Sequence, residues 1–212
     1  MERRGFKVFT VNTTINPKTR REEDVEKTED TIHVYKDGID VEYFGIRDPD
    51  VFVHWLMNIP DEAVTIINDK DDKKDFEEIG DTHTRLVGWF DPGSDALEEF
   101  EDAAEDFMGE VEFYAVVDSK WAKRVGLDHV GDVHMFRPFE KEPVQIPANI
   151  DTEEEFEEWV EKNKDPIMQK LSVYNYFNVW VDPEENERYI LAFADDESKE
   201  GKALFKLLKK IT

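Results

Sequence analysis

The stretch from Leu86 to Asp118 constrains the fold more than any other part of this chain. Leu86-Val87-Gly88-Trp89-Phe90 is a continuous apolar run and Asp91-Pro92-Gly93-Ser94 is turn chemistry. Residues 95–108 then carry a helical period, and Glu112-Phe113-Tyr114-Ala115-Val116-Val117-Asp118 is a second strand-like run. Strand, turn, helix and strand in this space predict a βαβ unit, since parallel neighbours need a crossover of about this length. Leu97, Phe100, Ala103, Ala104 and Phe107 recur on one helical stripe, which predicts burial against the sheet. The opposite face holds Glu98, Glu99, Glu101, Asp102, Glu105 and Asp106, and from Asp91 to Asp118 there are eleven carboxylates and no Lys or Arg. The like-charged i,i+4 pairs Glu98/Asp102, Glu101/Glu105 and Asp102/Asp106 each cost ~0.2–0.5 kcal/mol. A merely solvated face would usually intersperse lysine.

The surrounding pattern extends this unit in both directions. Ile32–Tyr35 and Ile39–Tyr43 flank Asp37-Gly38 and predict a hairpin. A helix capped by Asp48 or Asp50 follows, with Val51, Phe52, Trp55, Leu56 and Ile59 as its apolar face and Pro60 as its stop. Ala63–Ile67 predicts a strand, Asp71–Ile79 a charged helix, Ser119–Val125 a short helix and Asp132–Phe136 a strand. Val144–Ile146 predicts a short strand between prolines, and Thr152–Lys162 a helix. The resulting order over residues 62–165, βαβαβαββα, is that of a thioredoxin-like α/β domain: a mixed sheet with helices on both faces. Beyond it, Arg188–Ala194 reads as a strand and Gly201–Ile211 as an amphipathic helix with Leu204, Phe205, Leu207 and Leu208 turned inward. Residues 1–30 differ in kind, with seven basic and seven acidic residues in balance. Only Lys7–Val11 is strand-like there, Asn16–Asp24 reads as loop or disorder, and Asn12-Thr13-Thr14 is a glycosylation sequon with meaning only in a lumenal compartment.

Because the first thirty residues are neutral, the whole formal charge of -25 sits in residues 31–212. Nucleic acid and anionic membrane surfaces are repelled by such a chain, so its expected partners are cations or basic protein surfaces. The absence of cysteine removes thiol, disulfide and dithiol redox chemistry. Asp91-Pro92-Gly93-Ser94 stands where a thioredoxin-like oxidoreductase carries Cys-x-x-Cys. No apolar run is long enough for a membrane span, so no membrane insertion is expected, and Met1–Phe6 is not followed by a signal-peptide core.

A second acidic stretch runs from Asp151 to Glu161 around the apolar stripe of Phe156, Trp159 and Val160. The helix dipole accounts for carboxylates in its first turn, Glu153 and Glu154, but not for Glu157, Glu158 and Glu161. Clusters of hard oxygen donors suit Ca2+, and without a preformed cage they bind it weakly, on the order of 10⁻⁴–10⁻³ M. The charge pattern alone leaves cation buffering and plain solubility evenly matched. Asp69-Lys70-Asp71-Asp72-Lys73-Lys74 begins like an EF-hand loop but places lysines where a ligand and the glycine belong. His129 and His134 flank a glycine turn and read as structural or exposed histidines ahead of a shared metal site. No phosphate loop, nucleophile elbow or His-Glu-x-x-His motif is present, and no enzyme is expected.

Four blocks resemble the calsequestrin family in order and spacing: Leu86–Phe90, Phe100–Phe107, Asp118–Lys123 and Glu142–Pro147. The resemblance implies three redox-inactive thioredoxin-like units. Residues 31–61 would be the closing hairpin and helix of the first, 62–165 the whole second, and 166–212 a linker with the opening strand and helix of the third. Residues 1–30 are divergent, and a leader, most of the outer domains and an acidic tail are expected to be missing, as in a partial product. It further implies a high-capacity, low-affinity calcium store of the sarcoplasmic or endoplasmic reticulum lumen. Calcium would be its only cofactor, bound as multiple weak ions. The implied diffuse surface comprises Asp91, Asp95, Glu98, Glu99, Glu101, Asp102, Glu105 and Asp106 with Glu153, Glu154, Glu157, Glu158 and Glu161. Implied partners are basic lumenal segments of junctional membrane proteins and further copies of the chain. The alternative reading is a redox-inactive thioredoxin-like protein-binding module whose acidic surface docks basic segments.

Overall fold

The computed structural model describes residues 7–8, 32–79, 83–148, 150, 152–177, 190–195 and 197–210. The chain divides into two compact units, Met1–Thr31 and Ile32–Thr212, and every element below belongs to the second. It opens with the antiparallel hairpin of β1 (His33–Lys36) and β2 (Ile39–Glu42). Asp37 and Gly38 have φ of 55° and 102°, the positive pair that matches a two-residue turn to the twist of its strands. Helix α1 (Pro49–Asn58) is capped by Asp48, whose carboxylate accepts from the backbone N–H groups of Asp50 and Val51. Tyr43 is fully buried between this helix and the hairpin, with its ring 5.0 Å from Phe52 and 4.8 Å from Trp55. Its hydroxyl donates to the Ile46 carbonyl, as a buried phenol must find a partner.

The next nine elements are β3 (Val64–Ile66), α2 (Lys70–Glu78), β4 (Thr84–Trp89), α3 (Asp95–Asp106), β5 (Val111–Val116), α4 (Ser119–Val125), β6 (Val133–Phe136), β7 (Val144–Gln145) and α5 (Glu153–Asn163). Their order agrees with the one read from the sequence. The strands form one five-stranded sheet in the order β3-β5-β4-β6-β7. β3, β5 and β4 are parallel, with Leu86 opposite Phe113, while β6 and β7 run antiparallel. Alternation along the strands sends neighbours to opposite faces. Leu86, Phe113 and Met135 join Phe100, Phe156 and Val160 of α3 and α5 in one core. Val87 and Tyr114 join Phe76, Trp121, Ala122 and Leu127 in the other, under α2 and α4. This is the mixed sheet with helices on both faces that defines the thioredoxin-like fold.

A smaller cluster of Val41, Ile59 and Met108, with Trp55 and Leu56 packed on it, ties the hairpin and α1 to the end of α3. At that junction Gly109 has φ of 92°, and a Cβ there would lie 3.0 Å from Cγ1 of Val41. Gly109→Ala therefore combines a left-handed backbone with a crowded contact and is expected to destabilise the fold by about 1–3 kcal/mol. Urea unfolding at unchanged m-value checks this; a loss below about 0.5 kcal/mol would mean the turn relaxes freely.

The C-terminal expectations need correction. Residues 190–194 form no strand, and Ile190 and Phe193 are 77% and 87% exposed. No described strand pairs with this segment, and β structure depends on such a partner for its backbone hydrogen bonds. Helix α6 (Lys199–Leu208) starts earlier than expected because Ser198 caps it, accepting from the Gly201 N–H. Gly201 is buried where any Cβ would meet the Asp195 carbonyl at 2.0 Å. Leu204 and Leu208 are half-buried, but Phe205 and Leu207 remain 40% and 57% exposed, since no described strand covers their side of the helix. Lys7 and Val8 are exposed and form no strand. Residues 9–11, Asn12 and Arg188 lie outside the described residues.

Candidate functional site

The two acidic helices are neighbours in space because their apolar stripes share one core. On α3, Ser94 caps the first turn by accepting from Leu97 N–H, and Leu97, Phe100, Ala103 and Ala104 are buried. On α5, Thr152 accepts from Glu155 N–H, and Phe156 and Val160 are buried. Phe100 meets Phe156 edge-on at 5.8 Å, while Ala103 and Ala104 are small enough to let the second helix approach. Burying one stripe of each helix against the other leaves their acidic flanks facing across the seam.

The consequences appear atom by atom. Oε2 of Glu99 accepts from the backbone N–H of Glu153 at 2.7 Å, an additional cap to α5 from 54 residues away. Partial desolvation, with the charges of Asp102, Glu154, Asp106 and Glu99, raises the pKa of Glu153. The side chain of Glu157 stands within hydrogen-bonding reach of Asp106 across the seam. Desolvation, that contact and the charges of Asp106, Glu153 and Glu154 push its carboxyl up to about 7. Farther along, Asp106, Glu157, Glu158 and Glu161 line an open groove floored by Phe107.

Of the thirteen carboxylates named from the sequence, the structure thus gathers Glu99, Asp102, Asp106, Glu153, Glu154, Glu157, Glu158 and Glu161 along one seam. Glu98 and Glu101 form a flank with Glu62, where desolvation followed by the charges of Asp102, Glu62 and Glu98 raises the pKa of Glu101. Glu105 points outward, and Asp91 and Asp95 lie exposed at the turn and start of α3. Lys162 reaches Glu158 at 3.1 Å, while Lys164 holds Glu110 at 2.7 Å and Glu161 at 2.8 Å. Burial opposes the charge on Lys164, but its two carboxylate partners outweigh it and raise its pKa. None of these cations is paired with Asp102, Asp106, Glu153, Glu154 or Glu157.

The sequence reading missed Glu62 and the Lys164 clamp, which join residues separated by tens of positions with no local pattern. It also missed Glu112, whose buried carboxyl is pushed up by desolvation, with His83 pulling the other way. Glu112 borders a partly open cavity of about 280 Å³ beside Glu42, Trp55, His83, Lys164 and Tyr174. His129 faces Asp132 at 3.6 Å, not a second histidine. Among the described residues no group of three or more His, Asp or Glu side chains is arranged to hold a metal ion. The seam suits hard divalent cations by its donor chemistry, as a charged surface and not as a formed cage.

The raised carboxyl of Glu157 gives a pH dependence. The pKa of Glu157 is raised in the folded chain above the ordinary 4.5, so its deprotonation penalty is fully present above about 7 and relieved as pH falls toward 4.5. Without divalent ions, the urea midpoint is expected to rise between about pH 7.5 and pH 5.5, and Glu157→Gln to flatten that rise. An unchanged slope in the variant would place the titration elsewhere.

At the start of α3, Asp91 to Ser94 make a turn with Gly93 at φ 66° and Ser94 N–H donating to the Asp91 carbonyl. The chain has no cysteine for a redox pair there. No described helix is long and apolar enough to cross a membrane. Among solved structures, the bb fragment of ERp72 is similar at 15% identity with a TM-score of 0.50, covering 71% of this chain and 69% of that one. Human ERp44, form I, is similar at 14% identity with a TM-score of 0.48, covering 77% of this chain. The match spans 43% of ERp44's length. The calsequestrin family model matches residues 2–212. The chain therefore belongs to the calsequestrin family.

Proposed function

We propose that this protein is a non-enzymatic calcium buffer of the sarcoplasmic or endoplasmic reticulum lumen, with high capacity and low affinity. The observation that carries this reading is the α3–α5 seam, where two helices whose facing carboxylates far outnumber the neighbouring Lys162 and Lys164 are packed together by a shared apolar core. Such an arrangement raises local negative potential at a structural cost, and a divalent cation relieves it without needing a cage. Calcium would bind as several weak ions over the thirteen named carboxylates, densest along the seam. Residues 31–61, 62–165 and 166–212 are assigned to the end, whole and opening of three successive thioredoxin-like units. Basic lumenal segments of membrane proteins and further copies of the chain are the macromolecular partners that family membership suggests.

Calorimetric titration combined with thermal melts tests the reading. Several ions should bind at millimolar Ca2+, and the melting temperature should rise more with Ca2+ than with NaCl of equal ionic strength. A melting temperature indifferent to Ca2+, or raised equally by NaCl, rejects it. Lys-rich peptides captured equally with and without Ca2+ would instead favour the acidic surface as a protein-docking face.

A further inference from the structure

The cavity beside Glu112 shares none of its lining residues with the groove between α3 and α5. Helix α1 forms one wall with Trp55, the first residues of β4 and β5 form a second, and the stretch from Lys164 to Asn175 forms a third. That stretch is tied down along its length. Oγ1 of Thr84 donates to the Lys164 carbonyl at 2.7 Å, and Ile46 N–H donates to the Val173 carbonyl at 2.8 Å. The cavity is therefore preformed, and its 280 Å³ falls just under the range of drug-sized pockets, about 300–1,000 Å³. It suits a ligand of metabolite size.

The carboxyls in the wall decide the charge of that ligand. Glu110 is paired with Lys164 at 2.7 Å, and Asp165 is engaged already. Glu42 and Glu112 are half-buried and have no ion pair or side-chain hydrogen bond among the described residues. Desolvation pushes both carboxyls up. His33 and Arg47 act on Glu42 only through space, against Glu110 and Asp40, and His83 acts on Glu112 in the same way. Carboxylates in this position are costly to ionise alone and are relieved when a cation enters. Neither is among the charges that act on the other, so they stand apart along the cavity. A metal ion fits poorly: among the described residues no group of three or more His, Asp or Glu side chains is arranged to hold one, and Ca2+ takes about six to eight oxygens. Trp55 and Tyr174 add apolar and π surface, which suits methylenes and ammonium groups together.

We propose that this cavity binds a linear alkyl diamine, with its two ammonium groups on Glu42 and Glu112 and its methylene chain along Trp55 and Tyr174. A monoamine would leave one carboxyl unpaired, and a hydrated divalent ion would leave the aromatic wall unused. The site is separate from calcium buffering, since the carboxylates of the seam take no part in it.

Calorimetric titration of the full chain with cadaverine, in chelator at about 0.15 M KCl, tests the proposal. One saturable site is expected, with n-pentylamine roughly tenfold weaker or more because it lacks the second ion pair. Glu42→Gln and Glu112→Gln should each weaken cadaverine about tenfold, whereas Glu105→Gln/Glu154→Gln on the acidic helix faces should leave it unchanged. Cadaverine should also raise the melting temperature of the parent protein and not that of Glu112→Gln. Equal affinity for the two amines, equal weakening by the helix-face variant, or full displacement by equimolar Mg2+ would mean binding by diffuse charge and overturns the proposal. Absence of a saturable site up to about 10 mM cadaverine overturns it as well. If Glu112→Gln does not fold, Glu42→Gln decides by the same tenfold criterion. Because these titrations are made without Ca2+, their failure leaves calcium buffering untouched, and a failed calcium titration leaves the diamine result standing.

Discussion

Phe100→Ala is expected to cost about 3–5 kcal/mol, the usual range for deleting a buried phenyl ring. Phe100 is 0% exposed and touches three further rings: Phe90 at 4.9 Å, Phe113 at 5.2 Å and Phe156 at 5.8 Å. It therefore joins β4, β5 and α5 to α3, and nothing nearby can collapse into its space without moving one of them. Against a typical total of about 5–15 kcal/mol, such a loss leaves a small domain marginal. The measurement is urea unfolding by circular dichroism and tryptophan fluorescence. The same variant should lose cooperative calcium stabilisation, because the acidic flanks face each other only while the core beneath them is intact. A cost below about 1 kcal/mol would mean that α3 and α5 do not share this core.

The second large effect concerns charge. A variant with Asp102→Asn, Asp106→Asn, Glu153→Gln and Glu157→Gln removes the carboxylates that crowd one another with no ion-pair partner among the described residues. Two opposite changes are expected from it. In the absence of divalent ions it should be more stable than the parent by about 1 kcal/mol or more, since each like-charge neighbour costs ~0.2–0.5 kcal/mol and the deprotonation penalty at Glu157 is removed. In Ca2+ at about ten times the dissociation constant, where one bound ion contributes about 1.4 kcal/mol, it should gain less than the parent. For a chain of this size 1 kcal/mol moves the melting temperature by roughly 2–4 °C, so both changes are measurable in one set of melts. A variant that melts lower without Ca2+, or responds to Ca2+ as fully as the parent, would show that the seam is neither strained nor used.

Much of the fold was legible because its signals are local. The Asp37-Gly38 turn and the cap at Asp48, one of the two candidates named, act within a few residues, and α3 and α5 begin within one residue of where the sequence placed them. The parallel pairing of β4 and β5 followed from the length of the crossover between them. The C-terminal strand failed for the complementary reason. Ile190-Leu191-Ala192-Phe193-Ala194 has the composition of a strand, but composition cannot supply the neighbour that a strand must pair with. The inward face expected for Phe205 and Leu207 failed likewise, since a helical period marks a stripe as apolar without providing a surface to cover it.

The sequence by itself determined that the domain is α/β with a central βαβ unit, that it has no thiol chemistry, and that its helices carry unbalanced acidic faces. These are matters of composition and of periods two and 3.6, which a single segment expresses alone. Only the tertiary structure decided that the faces beginning at Asp95 and Glu153 adjoin, that Asp106 and Glu157 stand together, and that Lys164 clamps Glu110. Those facts depend on contacts between residues some fifty positions apart, set by how Phe100, Ala103, Phe156 and Val160 pack, and electrostatic energy follows distance in space and not along the chain.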